Sequence, residues 1–232
     1  MLSDALSFPR RGDDWLSTLL VGGVLTVLGP FILPALVVQG YLVRVLDYAA
    51  RRERNPPSFT QWGTLLVDGL KLLVVTVVYG LFAVVPLVVV FGALVVIVPG
   101  DPVVADPGMP NPTPSIGTGP GLLVFLGLAA LSGLLTLVVA YVLPAALANF
   151  AIEGRLGAAF DVRTVLAGAF TSDYAVAWLL ALLVGAVGGF IGSVLTAVVV
   201  GVFVLFYVQV SLSYLFGRGF AAGLAKKRWS EA

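Results

Sequence analysis

The chain has 232 residues, of which 59% are hydrophobic and 11% charged, with a formal net charge of +1. It contains no cysteine and no histidine. That excludes disulfides, thiolate nucleophiles, the Ser-His-Asp and Cys-His arrangements and most zinc chemistry, while a charged fraction far below the roughly 25% of soluble domains places the bulk of the chain in lipid.

Met1–Phe8 reads as a short interfacial segment with Leu2, Ala5, Leu6 and Phe8 as its apolar contacts. Arg10-Arg11 precede an apolar run, but Asp13-Asp14 interrupt the approach, which does not fit a cleavable signal; a twin-arginine signal is the alternative, against which the two acids count. The first apolar block, 15–50, is long for one crossing and short for two, since a helical crossing takes about 20 residues. Its flanks are basic on both sides, Arg10-Arg11 and Arg51-Arg52-Arg54, which favours a hairpin turning near Gly29–Pro34. A re-entrant pair and a single kinked helix are the alternatives. Residues 51–64 form a basic connector in which Pro56-Pro57 stop any entering helix.

The second block is 65–98. The loop that follows, 99–120, holds seven of the 14 prolines and no basic residue, so it is expected to be extended and irregular. The third block, 121–152, leads into 153–173. There Leu156, Phe160, Val165, Leu166 and Phe170 alternate with charges at a spacing suited to an amphipathic helix near 156–170, lying in the membrane interface. The fourth block, 174–217, has no charge at all and is long enough for two crossings. Its glycines place the expected turn at Gly188–Ser193. The tail 218–232 carries Lys226-Lys227-Arg228-Trp229, an interfacial anchor for anionic lipid.

Charge orients these blocks. With 51–64, 153–173 and both termini inside, all 13 Lys and Arg residues fall on the inner face, and the outer loop carries only Asp101 and Asp106. The expected fold is all-α: one integral membrane domain over 1–232, a polytopic bundle of about six transmembrane helices, with five as the alternative. The helices are arranged as in-out-in hairpins with an amphipathic inner-face helix. The expected location is the cell membrane, multi-pass, with both termini cytoplasmic. A faint threefold repeat supports the hairpins. Three entering helices follow an aromatic signal (Phe8…Trp15, Phe59…Trp62, Phe170…Trp178), and three returning helices end in an aromatic residue before arginine (Tyr41…Arg44, Phe150…Arg155, Tyr214…Arg218). Ordinary aromatic and arginine anchoring at an inner interface yields the same pattern.

Several stretches carry a family resemblance. They are Phe8-Pro9 with Gly12-Asp13-Asp14-Trp15, then Gly22-Gly23, then Ile32-Leu33-Pro34-Ala35 with Gly40-Tyr41-Leu42-Val43-Arg44, then Pro57, Phe59, Trp62 and Val67-Asp68-Gly69-Leu70-Lys71. In these the chain resembles domain of unknown function 4013, a membrane family common in halophilic archaea; the match is specific over 8–80 and looser after 120. The resemblance implies a polytopic helical membrane protein and no assigned activity.

Few residues are candidates for a site. Arg44 and Asp47, and Asp68 and Lys71, are spaced three apart on helices, so each pair can satisfy itself at a membrane boundary, line an inner vestibule or hold lipid headgroups. Gln39, Asn149 and Gln209 recur near the inner part of the returning helices and either converge on one cavity or bond neighbouring helices. Glu153 and Arg155 sit where the third block leaves the membrane. Gly185/Gly189 and Gly188/Gly192 match small-xxx-small packing. Asp101 and Asp106 lack the cage a calcium ion needs. No catalytic, cofactor-binding or metal residue is expected, no cofactor is called for, and dispersed basic residues argue against nucleic acid. The expected partners are the lipid bilayer and a membrane protein or a second copy of the chain. The leading functional reading is a non-enzymatic protein that scaffolds partners or organises lipid. The alternative is a small-solute transporter or channel with a polar inner cavity, and an intramembrane enzyme ranks third.

Overall fold

The computed structural model describes residues 1–12, 14–97 and 120–230. Asp13 and most of the Pro/Gly-rich loop, with Asp101 and Asp106, lie outside the described residues. Among the described residues eight α-helices follow one another: α1 (Leu2–Ser7), α2 (Trp15–Val27), α3 (Ile32–Ala50), α4 (Trp62–Ile97), α5 (Pro120–Glu153), α6 (Val162–Ala169), α7 (Ser172–Leu195) and α8 (Val200–Ser230). Short 3-10 turns occupy 8–10, 156–160 and 196–198, and there is no strand among the described residues.

Among the described residues five helices are long and apolar enough to cross a membrane: α3, α4, α5, α7 and α8. The sixth apolar helix, α2, has 13 residues, about 20 Å at 1.5 Å per residue, against a hydrocarbon thickness of about 30 Å. The choice between five and six thus has a physical form: the first block is a hairpin whose first arm is short. Its turn falls where the glycine and proline placed it, with Gly29 N–H donating to the Thr26 carbonyl and Phe31 N–H to that of Leu28.

The fourth block departs from expectation. Helix α7 runs straight through Gly188–Ser193 to Leu195, and the reversal comes at Thr196–Val199, where Val199 takes a left-handed φ of 65°. The glycines serve helix packing instead. A Cβ at Gly188 would lie 2.5 Å from Val208 Cγ2, and one at Gly192 would lie 2.6 Å from Leu205 Cδ2. In lipid, helices associate through close packing, and small residues permit it. The interfacial segment differs too. A 3-10 turn at Leu156–Phe160 precedes α6, because the Asp161 side chain caps α6 by accepting from the Thr164 N–H and interrupts a single helix over 156–170.

The described residues fall into two compact units. One comprises Met1–Thr76 with Tyr141–Ala232, and its core is built around α8, which packs against α2, α3, α6 and α7. Phe8, Tyr41, Leu65, Phe206 and Leu215 are buried there. The closest crossing joins α3 to α4: a Cβ on Gly40 would sit 1.9 Å from the Leu65 carbonyl oxygen, and one on Gly69 would sit 1.9 Å from that of Leu36. The other unit, Val77–Ala140, takes the later part of α4 and the earlier part of α5. Its described residues carry no charge, and Phe82, Val88 and Leu123 stand on its surface, a composition suited to lipid contact.

Candidate functional site

Charge gathers at one end of the larger unit. The last turns of α3 and α8 reach this end, as do the first turns of α4 and α7. Arg44 lies on α3, three residues from Asp47, yet the two do not pair. Asp47 accepts from Arg51 at 2.7 Å, one helical turn on. Arg44 instead donates to the carbonyls of Thr60 at 2.7 Å and Gln61 at 3.5 Å. Gln61 adopts a φ of 57° just before α4, and the guanidinium satisfies carbonyls in that turn. Arg44 therefore fixes the entry of the chain into α4.

Asp68 and Lys71 do pair, at 3.4 Å, with side chains 22% and 35% exposed. Their position is unexpected. Lys71 is nine residues into α4, about 14 Å from its start, and the Gly69 contact with Leu36 places the pair beside the early part of α3. The ion pair thus stands part-way along an apolar helix rather than at the charged end. Glu153 and Arg155 approach to 3.4 Å where α5 finishes, and Lys226 of α8 meets Asp173 of α7 at 3.8 Å.

The three amides have different surroundings. Asn149 is buried and donates to the Ala158 carbonyl at 2.8 Å, docking the 156–160 turn onto α5. Gln39 and Gln209 are half-buried on α3 and α8. None of the three lines either of the two pockets described below. Around Asn149, hydroxyls and rings extend the same junction. Tyr141 donates to the Ala169 carbonyl at 2.7 Å, and Tyr174 to the Tyr141 carbonyl at 2.8 Å.

The aromatic residues of the repeat meet in pairs. Phe59, before α4, stacks on Tyr41 of α3 with centroids 4.2 Å apart, and Phe8, before α2, lies 4.6 Å from Tyr214 of α8. Phe170, before α7, meets Tyr141 at 6.4 Å rather than Phe150. Each entry segment is held by a returning helix of another hairpin.

Two concavities went unread in the sequence. One, of about 240 Å³, is lined by Arg11, Asp14, Trp15, Thr18, Asn55 and Ser58, where the segment before α2 meets the 51–61 connector. The second is apolar and lies against α1. Beside them Asp4 accepts from Arg11 at 3.1 Å, and Arg11 also donates to Ser7 at 2.6 Å. The Arg11 hydrogen bond, helped by the N-terminal ammonium, holds the Asp4 carboxyl below its ordinary value. A lowered native pKa means that this attraction acts in full above the ordinary range near about 4 and is lost as pH falls through the lowered value. A fluorophore on the exposed Ser3 is therefore expected to report loosening of α1 below about pH 4, and Asp4→Asn is expected to show the loosened signal at every pH.

The family model described as "Protein of unknown function (DUF4013)" matches residues 23–197. The chain belongs to the DUF4013 family. No curated protein and no solved structure matches it. The DUF4013 match begins inside α2 and ends in the turn after α7, so α8, the helix around which the larger unit packs, follows the matched region. Sequence signals for the polar pocket did exist, in Gly12-Asp13-Asp14-Trp15 and Asn55-Pro56-Pro57, but nothing local indicated that the two stretches meet. The apolar pocket had no signal, since its lining residues resemble any others in the spans.

Proposed function

We propose that this DUF4013 protein is a non-enzymatic, multi-pass protein of the cell membrane that organises lipid or a membrane-protein partner at its charged face, with both termini cytoplasmic. The observation that supports this reading is the gathering of Arg44, Asp47–Arg51, Glu153–Arg155 and Asp173–Lys226 at the ends of the helices. Aromatic residues accompany them, with Trp229 exposed nearby on the same terminal stretch of α8. Such a face attracts anionic headgroups and leaves short charged elements available to a partner. A sequence without histidine or cysteine offers little for chemistry.

Chemical crosslinking in native membranes followed by purification tests the reading. The expected result is a specific co-purifying protein or retained lipid; a clean monomer with neither would overturn it. Orientation is tested separately by reporter fusions. A reporter after Asn111 is expected outside the cell and reporters after Arg54 and Ala232 inside, and the reverse pattern would invert the assignment. One observation favours a second reading, transport of a small solute. The Asp68–Lys71 pair stands along an apolar helix, and ionisable groups so placed commonly mark pathways. Solute uptake into vesicles that Asp68→Asn abolishes would support transport over organisation.

A further inference from the structure

The six-residue helix α1 lies beside α7 and α8, and between them runs an apolar groove of about 390 Å³. Its walls are Leu2 and Leu6 of α1, Leu183 and Val187 of α7, and Val204 and Val208 of α8. Two hydroxyls border the groove, and both are already engaged. Tyr207 donates to the Leu6 carbonyl, and Ser211 donates to the Tyr207 carbonyl at 3.0 Å. With both hydroxyl hydrogens spent and the rest of the lining apolar, a polar solute there would lose more hydration than the groove returns. Hydrocarbon loses nothing. The groove also opens sideways: Leu183 and Val187 continue onto the exposed apolar face of α7 with Leu179, Leu182 and Val194. An acyl chain can therefore enter from the bilayer without crossing a polar barrier.

A cation stands beside Tyr207 at the border of this groove. The Arg10 guanidinium carbon lies 5.5 Å from the centroid of the Tyr207 ring. Its neighbour Arg11 is engaged by Asp4 and Ser7. No carboxylate pairs with Arg10 among the described residues, whose ion pairs on this segment are Asp4 with Arg11 and with the N-terminal amine. An exposed guanidinium that bonds the Tyr207 hydroxyl and has no carboxylate partner among the described residues, beside a hydrocarbon slot, matches a phosphodiester carrying an acyl chain.

We propose that the α1 groove is a binding site for one anionic phospholipid, with an acyl chain against Leu183, Val187 and Val204 and its phosphate on Arg10. This deepens the lipid-organising reading and rests on the membrane placement given there. The lipid seals α1 onto the α7–α8 seam, so lipid composition sets how firmly the N-terminal segment is held.

Native mass spectrometry of the full chain tests this. The protein is delipidated in mild detergent and offered dioleoylphosphatidylglycerol, dioleoylphosphatidylcholine or inorganic phosphate alone. The wild type is expected to retain one phosphatidylglycerol and no inorganic phosphate. Leu183→Trp fills the groove at a position 55% exposed, which the fold tolerates, and is expected to weaken retention of both lipids at least tenfold. Arg10→Gln is expected to reduce the preference for phosphatidylglycerol over phosphatidylcholine about tenfold, the scale of one charge-assisted hydrogen bond. No retention by the wild type, or retention unchanged in both variants, would overturn the proposal. A co-purifying protein without lipid at this groove would sink the groove alone. Lipid at the groove with no partner, and none held at the charged face, would sink the organising reading alone.

Discussion

Gly40→Val is expected to leave little folded protein. The added side chain falls 1.9 Å from the Leu65 carbonyl oxygen and 2.6 Å from its carbonyl carbon. Both obstacles are backbone, so no rotamer change relieves the overlap, and α3 and α4 must part. The reciprocal contact of Gly69 with Leu36 parts with them. Overpacking a core costs about 1–3 kcal/mol where side chains can shift; against backbone on both helices the cost is expected at or above the upper figure. Gly80→Ala on the same helix is the control, because a Cβ there meets nothing within 4 Å and alanine favours the helix by up to about 1 kcal/mol. Size-exclusion recovery after graded heating of detergent-solubilised protein reads both variants. Equal midpoints for the two would count against the crossing.

The second large effect is expected at Tyr174. Its side chain is fully buried, with its ring edge-on to Tyr141 at 5.3 Å and to Phe220 at 6.4 Å. Tyr174→Ala is expected to destabilise by about 3–5 kcal/mol through lost contacts and the cavity left behind. Tyr174→Phe keeps the rings and forfeits only the hydrogen bond to the Tyr141 carbonyl, an effect of about 1 kcal/mol. Denaturant unfolding in detergent separates the two. If the phenylalanine variant lost as much as the alanine variant, the hydroxyl rather than the ring packing would be holding α5 to α7.

The parts of this molecule legible in its sequence are those that charge and periodicity dictate. Apolar blocks bounded by arginine must be helices in lipid, and Gly29-Pro30 must interrupt one of them. A glycine cluster is less specific, because the same residues permit a turn or a close crossing. Gly188 and Gly192 make a crossing, and the turn falls instead at Thr196–Val199. Spacing predicts that Arg44 can reach Asp47, but Arg51 lies one turn beyond and the bare carbonyls of Thr60 and Gln61 lie closer to the guanidinium. Spacing left Asn149 open between a shared cavity and a bond to a neighbouring element; its amide donates to the Ala158 carbonyl. The grooves were illegible for a simpler reason: they join residues far apart in the chain, and apolar side chains that line a groove have the same composition as those that face lipid.

The bond from Tyr207 to the Leu6 carbonyl joins residues 201 positions apart. During synthesis at roughly 5–20 residues per second, the first helix is made about 10–40 s before its partner exists. Until then its polar face and the unmatched Phe8 ring wait at the membrane surface. Docking of α1 thus waits for α8, and a nascent chain arrested before α8 would present that segment uncovered to a chaperone or a protease. The synthesis of α8 is what lets α1 be covered.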